Sequence, residues 1–241
     1  KTYVHNPEDP GSLADNYVFS VFQDREGHIF VSTHSGVQLY DYATDKFSPL
    51  ATFSDGSASG QICQVLERSN GELWGIGNAV SRITVENGVP VLKKANLPAR
   101  ISYIDSAIED SDGSLWLVKQ KEGFYKLNRD GSFSAFYSSG EYFILSLYQD
   151  KSNNMYAAAV NGGLLRFNPS DGKFSEVPYN GGQRLPVRFL FSLSDDEIAL
   201  GTDGRGLKVY NTNTGLISDF QFAGSDMNYS NLKVHSLMRD W

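Results

Sequence analysis

The residues able to do chemistry are few and far apart. Histidines stand at His5, His28, His34 and His235, and the only cysteine is Cys63. Such scatter assembles no metal-ligand set, so neither a metal nor a cofactor is expected. His28 follows a turn glycine and reads as a solvent-facing strand residue. The Ser-Asp-Asp stretch at 194–196 lacks the spacing of a calcium loop. No Gly-x-Ser-x-Gly, phosphate loop or His-Glu-x-x-His occurs, so no catalytic residue is assigned. A lyase or hydrolase would need a histidine beside an acid, and His34 with Asp203 as a distant partner is all the chain offers. Recognition chemistry is better represented. Tyr17, His34, Arg100, Tyr103, Lys119, Gln120, Tyr142, Asn161, Arg184, Arg188, Asp203 and Arg205 all fall in connecting segments. Tyrosine rings stack on sugar faces, while planar amides and guanidinium forks exchange hydrogen bonds with hydroxyls. The plainer reading is that loops are polar and that some of these side chains merely pack.

The elements that must position them repeat. "EDSDGSLW" at 109–116 returns as "QDREGHIF" at 23–30, "ERSNGELW" at 67–74 and "QDKSNNMY" at 149–156. The aromatic that follows the turn falls at Phe30, Trp74, Trp116 and Tyr156, in steps of 44, 42 and 40 residues, and Ala199 takes the place 43 further on. Each unit holds four short apolar runs separated by turn signals. Asp-x-x-Gly joins the first run to the second, with Asp capping the turn and Gly free to take positive φ. Four strands per 40–45 residues is the signature of propeller blades. One blade cannot bury both of its faces, so blades must stack, and the recurring aromatics are expected between them.

The reading is therefore all-β: a β-propeller with four-stranded blades near 17–53, 61–95, 103–137, 142–178 and 187–222, with the start of another at 231–241. Five full blades are flanked by strands of an incomplete one. "KTYVHN" at the start resembles an outer strand, and "NLKVHSLMRDW" at the end resembles an inner one. The chain reads as part of a longer propeller, seven-bladed by expectation, or as one whose two ends share a closing blade. In either case, connections between blades and those between second and third strands gather at one edge. The Asp-x-x-Gly turns gather at the other. All twelve recognition candidates fall on the first edge.

Composition narrows the partners. A net charge of −7 argues against general nucleic-acid or anionic-membrane binding, both of which need a basic face. A single cysteine forms no intrachain disulfide. No apolar run reaches the roughly 18 residues that span a bilayer, and "KTYVHNPEDP" reads as the opening of a processed or excised piece rather than a leader.

The repeat resembles the two-component regulator propeller repeat, whose units run Asn-x-Val-x-x-Ile-x-x-Asp-x-x-Gly-x-Leu-Trp-x-Gly-Thr-x-x-Gly-Gly-Leu, then Tyr-Asp, then Thr-Gly-x-Phe. Asn16, Val18, Asp24, Gly27, Thr33, Gly36, Tyr40, Asp41 and Phe47 match in the first unit. Asp110, Gly113, Leu115, Trp116 and Gly123 match in the third, and Gly201, Thr202, Gly206, Leu207 and Tyr210 in the fifth. The second unit departs with "GNAVSRITVENG", the fourth has Asn153 or Asn154 for the turn Gly, and the fifth has lost about two residues near "SLSDDE". The resemblance implies a non-catalytic, ligand-sensing periplasmic region of a hybrid two-component system, anchored to the inner membrane through the rest of the protein. Such systems are typical of gut Bacteroidetes and switch on polysaccharide use, with an oligosaccharide as ligand and a homodimer as the signalling form. A propeller lyase or hydrolase and a protein-interaction platform are the alternatives.

Overall fold

A computed structural model describes residues 1–180, 184–221 and 232–234. All regular structure among them is strand and turn, with no helix. The first sheet is built from β1 (Val18–Gln23), β2 (Ile29–Thr33), β3 (Gly36–Asp41) and β4 (Lys46–Phe47), paired in that order. Next come β5 (Thr52–Phe53), β6 (Ile62–Glu67), β7 (Leu73–Gly77), β8 (Ser81–Glu86) and β9 (Val89–Lys94), in the order β5-β9-β8-β7-β6. The third sheet is β10 (Ser106–Glu109), β11 (Leu115–Lys119), β12 (Gly123–Leu127) and β13 (Phe133–Ser138). The fourth is β14 (Ile144–Gln149), β15 (Met155–Ala159), β16 (Gly163–Asn168) and β17 (Lys173–Glu176). The fifth is β18 (Val187–Ser192), β19 (Glu197–Thr202), β20 (Leu207–Asn211) and β21 (Leu216–Asp219). Neighbouring strands pair antiparallel, apart from the parallel β5–β9 pair. The chain divides into two compact units, Lys1–Leu117 with Lys126–Ser134, and Val118–Tyr125 with the chain from Ala135 onward.

Two details differ from the sequence reading. "KFSPL" was read as the last run of the first unit, but pairing there stops at Phe47. Thr52 and Phe53 run on to add a strand to the second sheet. Residues 1–6 form no strand. Instead Tyr3 lays its ring edge-on to Tyr40 and Phe47, both at 5.5 Å, and its hydroxyl donates to Asp45 Oδ1. The incomplete blade read at 231–241 lies largely outside the described residues.

The second strands show why the apolar runs are continuous rather than alternating. β2, β7, β11, β15 and β19 are buried along nearly their whole length, because both faces of these strands are covered. The fourth strands β13, β17 and β21 are half-exposed, as strands at the sheet margin should be. Phe30, Trp74, Trp116 and Tyr156 are 0–2% exposed, the core position that the repeat assigned to them. In the first unit, the first and second sheets share one cluster in which Phe30, Val37 and Leu39 meet Phe53, Ile62 and Val65. In the second unit, Tyr156, Leu164, Val187 and Leu200 do the same for the fourth and fifth sheets. A bulge after the first residue of β1, β6, β14 and β18 recurs at one register position and sharpens the strand twist.

The Asp-x-x-Gly turns are tied by their own acids. Asp110 Oδ1 accepts from the Ser114 and Asp112 N–H groups at 2.8 and 3.0 Å, while Oδ2 accepts from Trp116 Nε1 at 2.8 Å. Asp24 repeats this with His28 N and Nδ1, and Asp150 with Asn154 N and Nδ2. His28 is thus a bonded turn residue, not a bare solvent-facing one. The third residue after each Asp must be left-handed. Gly113 supplies it at φ 76°, and Asn153 supplies it at φ 64°.

Candidate ligand-binding rim

At the opposite edge a backbone hydrogen bond repeats. The first residue after the second strand donates to the residue just before the first strand. His34 N bonds Tyr17 O at 3.1 Å, Asn78 N bonds Gln61 O at 3.0 Å, Val160 N bonds Phe143 O at 3.1 Å, and Asp203 N bonds Pro186 O at 3.0 Å. The two connection types expected to share an edge are therefore stapled together. Their side chains are carried by a fixed backbone, the arrangement in which loops serve binding.

In the first unit this rim is open. Tyr17 is 65% exposed, with its ring edge-on to Phe19 at 5.0 Å. The exposed His34 has Nδ1 3.9 Å from Asp15 Oδ2. Asp15 accepts from Tyr17 N at 2.8 Å and from Ser35 Oγ at 3.0 Å. Those two bonds, the backbone one foremost, hold its carboxyl below the usual carboxylate range. Tyr103 is 68% exposed and sits at φ 54°, a conformation that an aromatic residue rarely adopts. Its N–H donates to Asn78 O at 3.2 Å. Arg100 turns aside and lays its guanidinium 5.1 Å over the Phe133 ring.

In the second unit the candidates bond to one another. Tyr142 rests its ring on Gly162, where an added Cβ would stand 2.5 Å from Cδ1, and meets Phe174 edge-on at 5.6 Å. Burial and the nearby Glu176 carboxylate push its hydroxyl pKa up. The Asn161 amide accepts from Phe143 N and donates to Glu141 O, both at 2.7 Å. Arg184 donates to Asn161 O at 3.0 Å and to Glu176 Oε1 at 3.1 Å. Arg188 and Lys233 flank Asp203, each at 3.1 Å. A hydrogen bond from Lys233, opposed by burial and helped by both positive charges, lowers the Asp203 pKa. Lys119 pairs with Glu122 at 3.0 Å, and Gln120 beside it is half-buried. Arg205 is presented by a turn in which its N–H donates to Thr202 Oγ1.

Tyr17 and His34 are thus brought together, as are Tyr142, Asn161 and Arg184, and Arg188 with Asp203. For His34 and Asp203, weighed as a catalytic pair, the nearest charged neighbours are different ones. Asp15 faces His34, and two cations hold Asp203. Among the described residues no group of three His, Cys, Asp or Glu side chains could hold a metal ion. Sequence reasoning missed Asn78, Asp15 and Glu176. Asn78 lay in the unit that departs most from the repeat, and only counting from Ile62, the counterpart of Val18, would have found it.

Residues 12–35 match the family model for the two component regulator propeller. The fold is similar to that of two extracellular domains from B. thetaiotaomicron. One belongs to the proposed hybrid two component system BT3049, with TM-score 0.74, 18% identity, and coverage of 100% of this chain and 33% of that one. The other belongs to the proposed hybrid two component system BT4673, with TM-score 0.74, 18% identity, and coverage of 99% and 33%. The chain spans about a third of the length of either domain. It is also similar, at TM-score 0.67 and 15% identity over 86% of this chain and 71% of that one, to catalytically inactive H270A virginiamycin B lyase from Staphylococcus aureus with quinupristin. A search of curated proteins finds no match. Identities this low establish the fold, an all-β assembly of propeller blades.

Proposed function

We propose that this chain is a segment of the extracytoplasmic, membrane-anchored sensor region of a hybrid two-component system. It binds an oligosaccharide at the rim of its blades and does not transform it. The regulator-propeller match at 12–35 and the likeness to two sensor extracellular domains support the signalling role. The observation that carries the binding role is the open rim of the first unit, where two tyrosine rings stand exposed on a stapled backbone. Binding would act on signalling through different affinities for two arrangements of a homodimer, since a ligand that binds both equally shifts nothing.

The same reading places the chain in a larger propeller. Val18 and Val21 of β1 are 41% and 64% exposed, while their counterparts Ile62 and Val65, and Ile144 and Leu147, are at most 3% exposed. We read this bare face as the seat of a further blade of the longer protein.

The test is calorimetry of the chain with a panel of neutral and acidic oligosaccharides, followed by chromatography of each mixture. Binding with the sugar recovered intact is the expected result. A cleaved or eliminated product would replace the sensor with an enzyme of the lyase kind. A panel without binders, set against capture of a defined protein domain that no glycan displaces, would favour an interaction platform.

A further inference from the structure

The first unit's rim holds more than two separate tyrosines. Its parts touch in series. Asp15 links Tyr17 to the 34–35 turn through its bonds to Tyr17 N and Ser35 Oγ. The same turn reaches the second sheet, because Ser59 Oγ lies 2.6 Å from where a Gly36 Cβ would stand. Gly60 follows, with the Asn78 amide nitrogen 2.8 Å from its own Cβ position. Asn78 O then accepts from Tyr103 N. The strip thus runs across two sheet intervals, from the start of the first sheet to the start of the third, on the order of 20 Å at the usual sheet spacing. An exposed ring stands at each end, and exposed Asn78 and half-buried Gln61 lie between.

Tyr103 adds an independent observation. A bulky residue in the left-handed region is disfavoured, and residues held that way cluster where a ligand is met. Burial does not compensate for the strain here, because the ring is 68% exposed. The backbone bonds from Tyr103 N to Asn78 O and from Ile104 N to Gly77 O hold it in place. The strip carries its carboxylate, Asp15, at the Tyr17 end, while Arg100, three residues before Tyr103, keeps its charge and directs it over the Phe133 ring. An ionised carboxylate beside Tyr17 repels a uronate or a sulfate.

We propose that the strip from Tyr17 through Asn78 to Tyr103 is a subsite for an uncharged, linear oligosaccharide, which stacks a ring on each tyrosine and bonds its hydroxyls to the amides between. This rests on the oligosaccharide-sensor reading and sharpens it to a ligand class and a place.

The test uses the 241-residue chain with neutral hexose and pentose oligosaccharides and with uronate oligosaccharides of matched length, read by calorimetry. Tyr17→Ala, Tyr103→Ala and Asn78→Ala are compared with Tyr42→Ala. Tyr42 is 80% exposed in the hairpin between β3 and β4, away from the strip, and serves as the control. Melting curves confirm that each variant is folded. A neutral oligosaccharide should bind, and each tyrosine variant should weaken it at least tenfold, while Tyr42→Ala leaves it unchanged. Tyr103→Phe, which keeps the ring, should restore most of the affinity that Tyr103→Ala loses. If an oligosaccharide binds but ignores the strip variants, or only uronates bind, the strip is wrong and the sensor reading stands. If nothing in the panel binds wild-type protein, both fall together.

Discussion

The two edges of these sheets are built on opposite plans. At the turn edge, polar groups are buried and bonded: Asp24, Asp110 and Asp150 are 6–8% exposed, and each accepts backbone bonds from the turn it opens. At the rim of the first unit, Tyr17, His34 and Tyr103 project into solvent from a backbone fixed beneath them. One edge turns local sequence into stability, and the other holds side chains in place without using them. The second sheet shows how strictly the first edge is enforced. Arg68 replaces the turn acid there, and its fully buried guanidinium bonds Glu109, Glu72 and the carbonyls of Gly113 and Arg129. Charge reversal is tolerated because every donor of the fork that matters finds an oxygen.

The comparison breaks most visibly at Arg68. Arg68→Ala leaves Glu109 and two carbonyls without their donor in a buried place, and should cost about 3–5 kcal/mol in urea unfolding. Arg68→Asp restores the repeat's own residue, yet sets a carboxylate against Glu109 and Glu72, and should fare no better than Ala. A rescue by Asp would mean that turn chemistry outweighs the surrounding charges.

Asp110 tests the same edge with the ordinary residue. Asp110→Ala strands the Trp116 indole N–H and two turn amides, for an expected loss of about 1–3 kcal/mol. Tryptophan fluorescence, to which buried Trp116 and Trp74 contribute, should report the same transition. A loss near zero would show that the Asp bonds are dispensable to the fold.

What could be read in advance follows the same division. The turn edge was legible because its chemistry is local. Asp two and four residues before the amides it accepts, then a residue tolerant of positive φ, is a pattern within five positions, and even an Asn at 153 or 154 for Gly could be foreseen, the structure choosing Asn153. Arg68 could not be, because its partners Glu109 and Arg129 lie 41 and 61 residues away. The rim was legible as a place and not as a state. Sequence ranked Arg184 with Arg188 above Tyr103, but folding ties Arg184 to Asn161 O and Glu176 and leaves the exposed Tyr103 ring without a side-chain bond of that kind among the described residues. Exposure depends on neighbours in space. The move of Thr52 and Phe53 into the second sheet was hidden for the same reason.

At the rim, stability should barely respond. Tyr103→Gly removes both the ring and the unfavourable φ, and should change stability by about 0–1 kcal/mol toward the folded state, net of glycine's greater unfolded-chain entropy. Tyr103→Ala keeps the strain and should not gain. Equal melting temperatures for the two variants, both below wild type, would show that the ring stabilises the fold and that the rim is not idle before ligand arrives.

The smallest effect is read by pH at the second unit's rim. Asp203, between Lys233 and Arg188, has its pKa lowered in the folded chain. A depressed acid favours folding while ionised, so its contribution is present above the unfolded value, near 4, and fades as pH falls through the folded value. Asp203→Asn should therefore lower the urea midpoint slightly at pH 6. As pH falls below the folded value, where wild type loses the same interaction, variant and wild type should converge. Because the three side chains are about 28–66% exposed, high salt should shrink the difference at pH 6 as well. A gap that persists through the whole acid limb and in high salt would mean that Asp203 acts through packing, and the second unit's rim would then be a structural edge as firm as the turns.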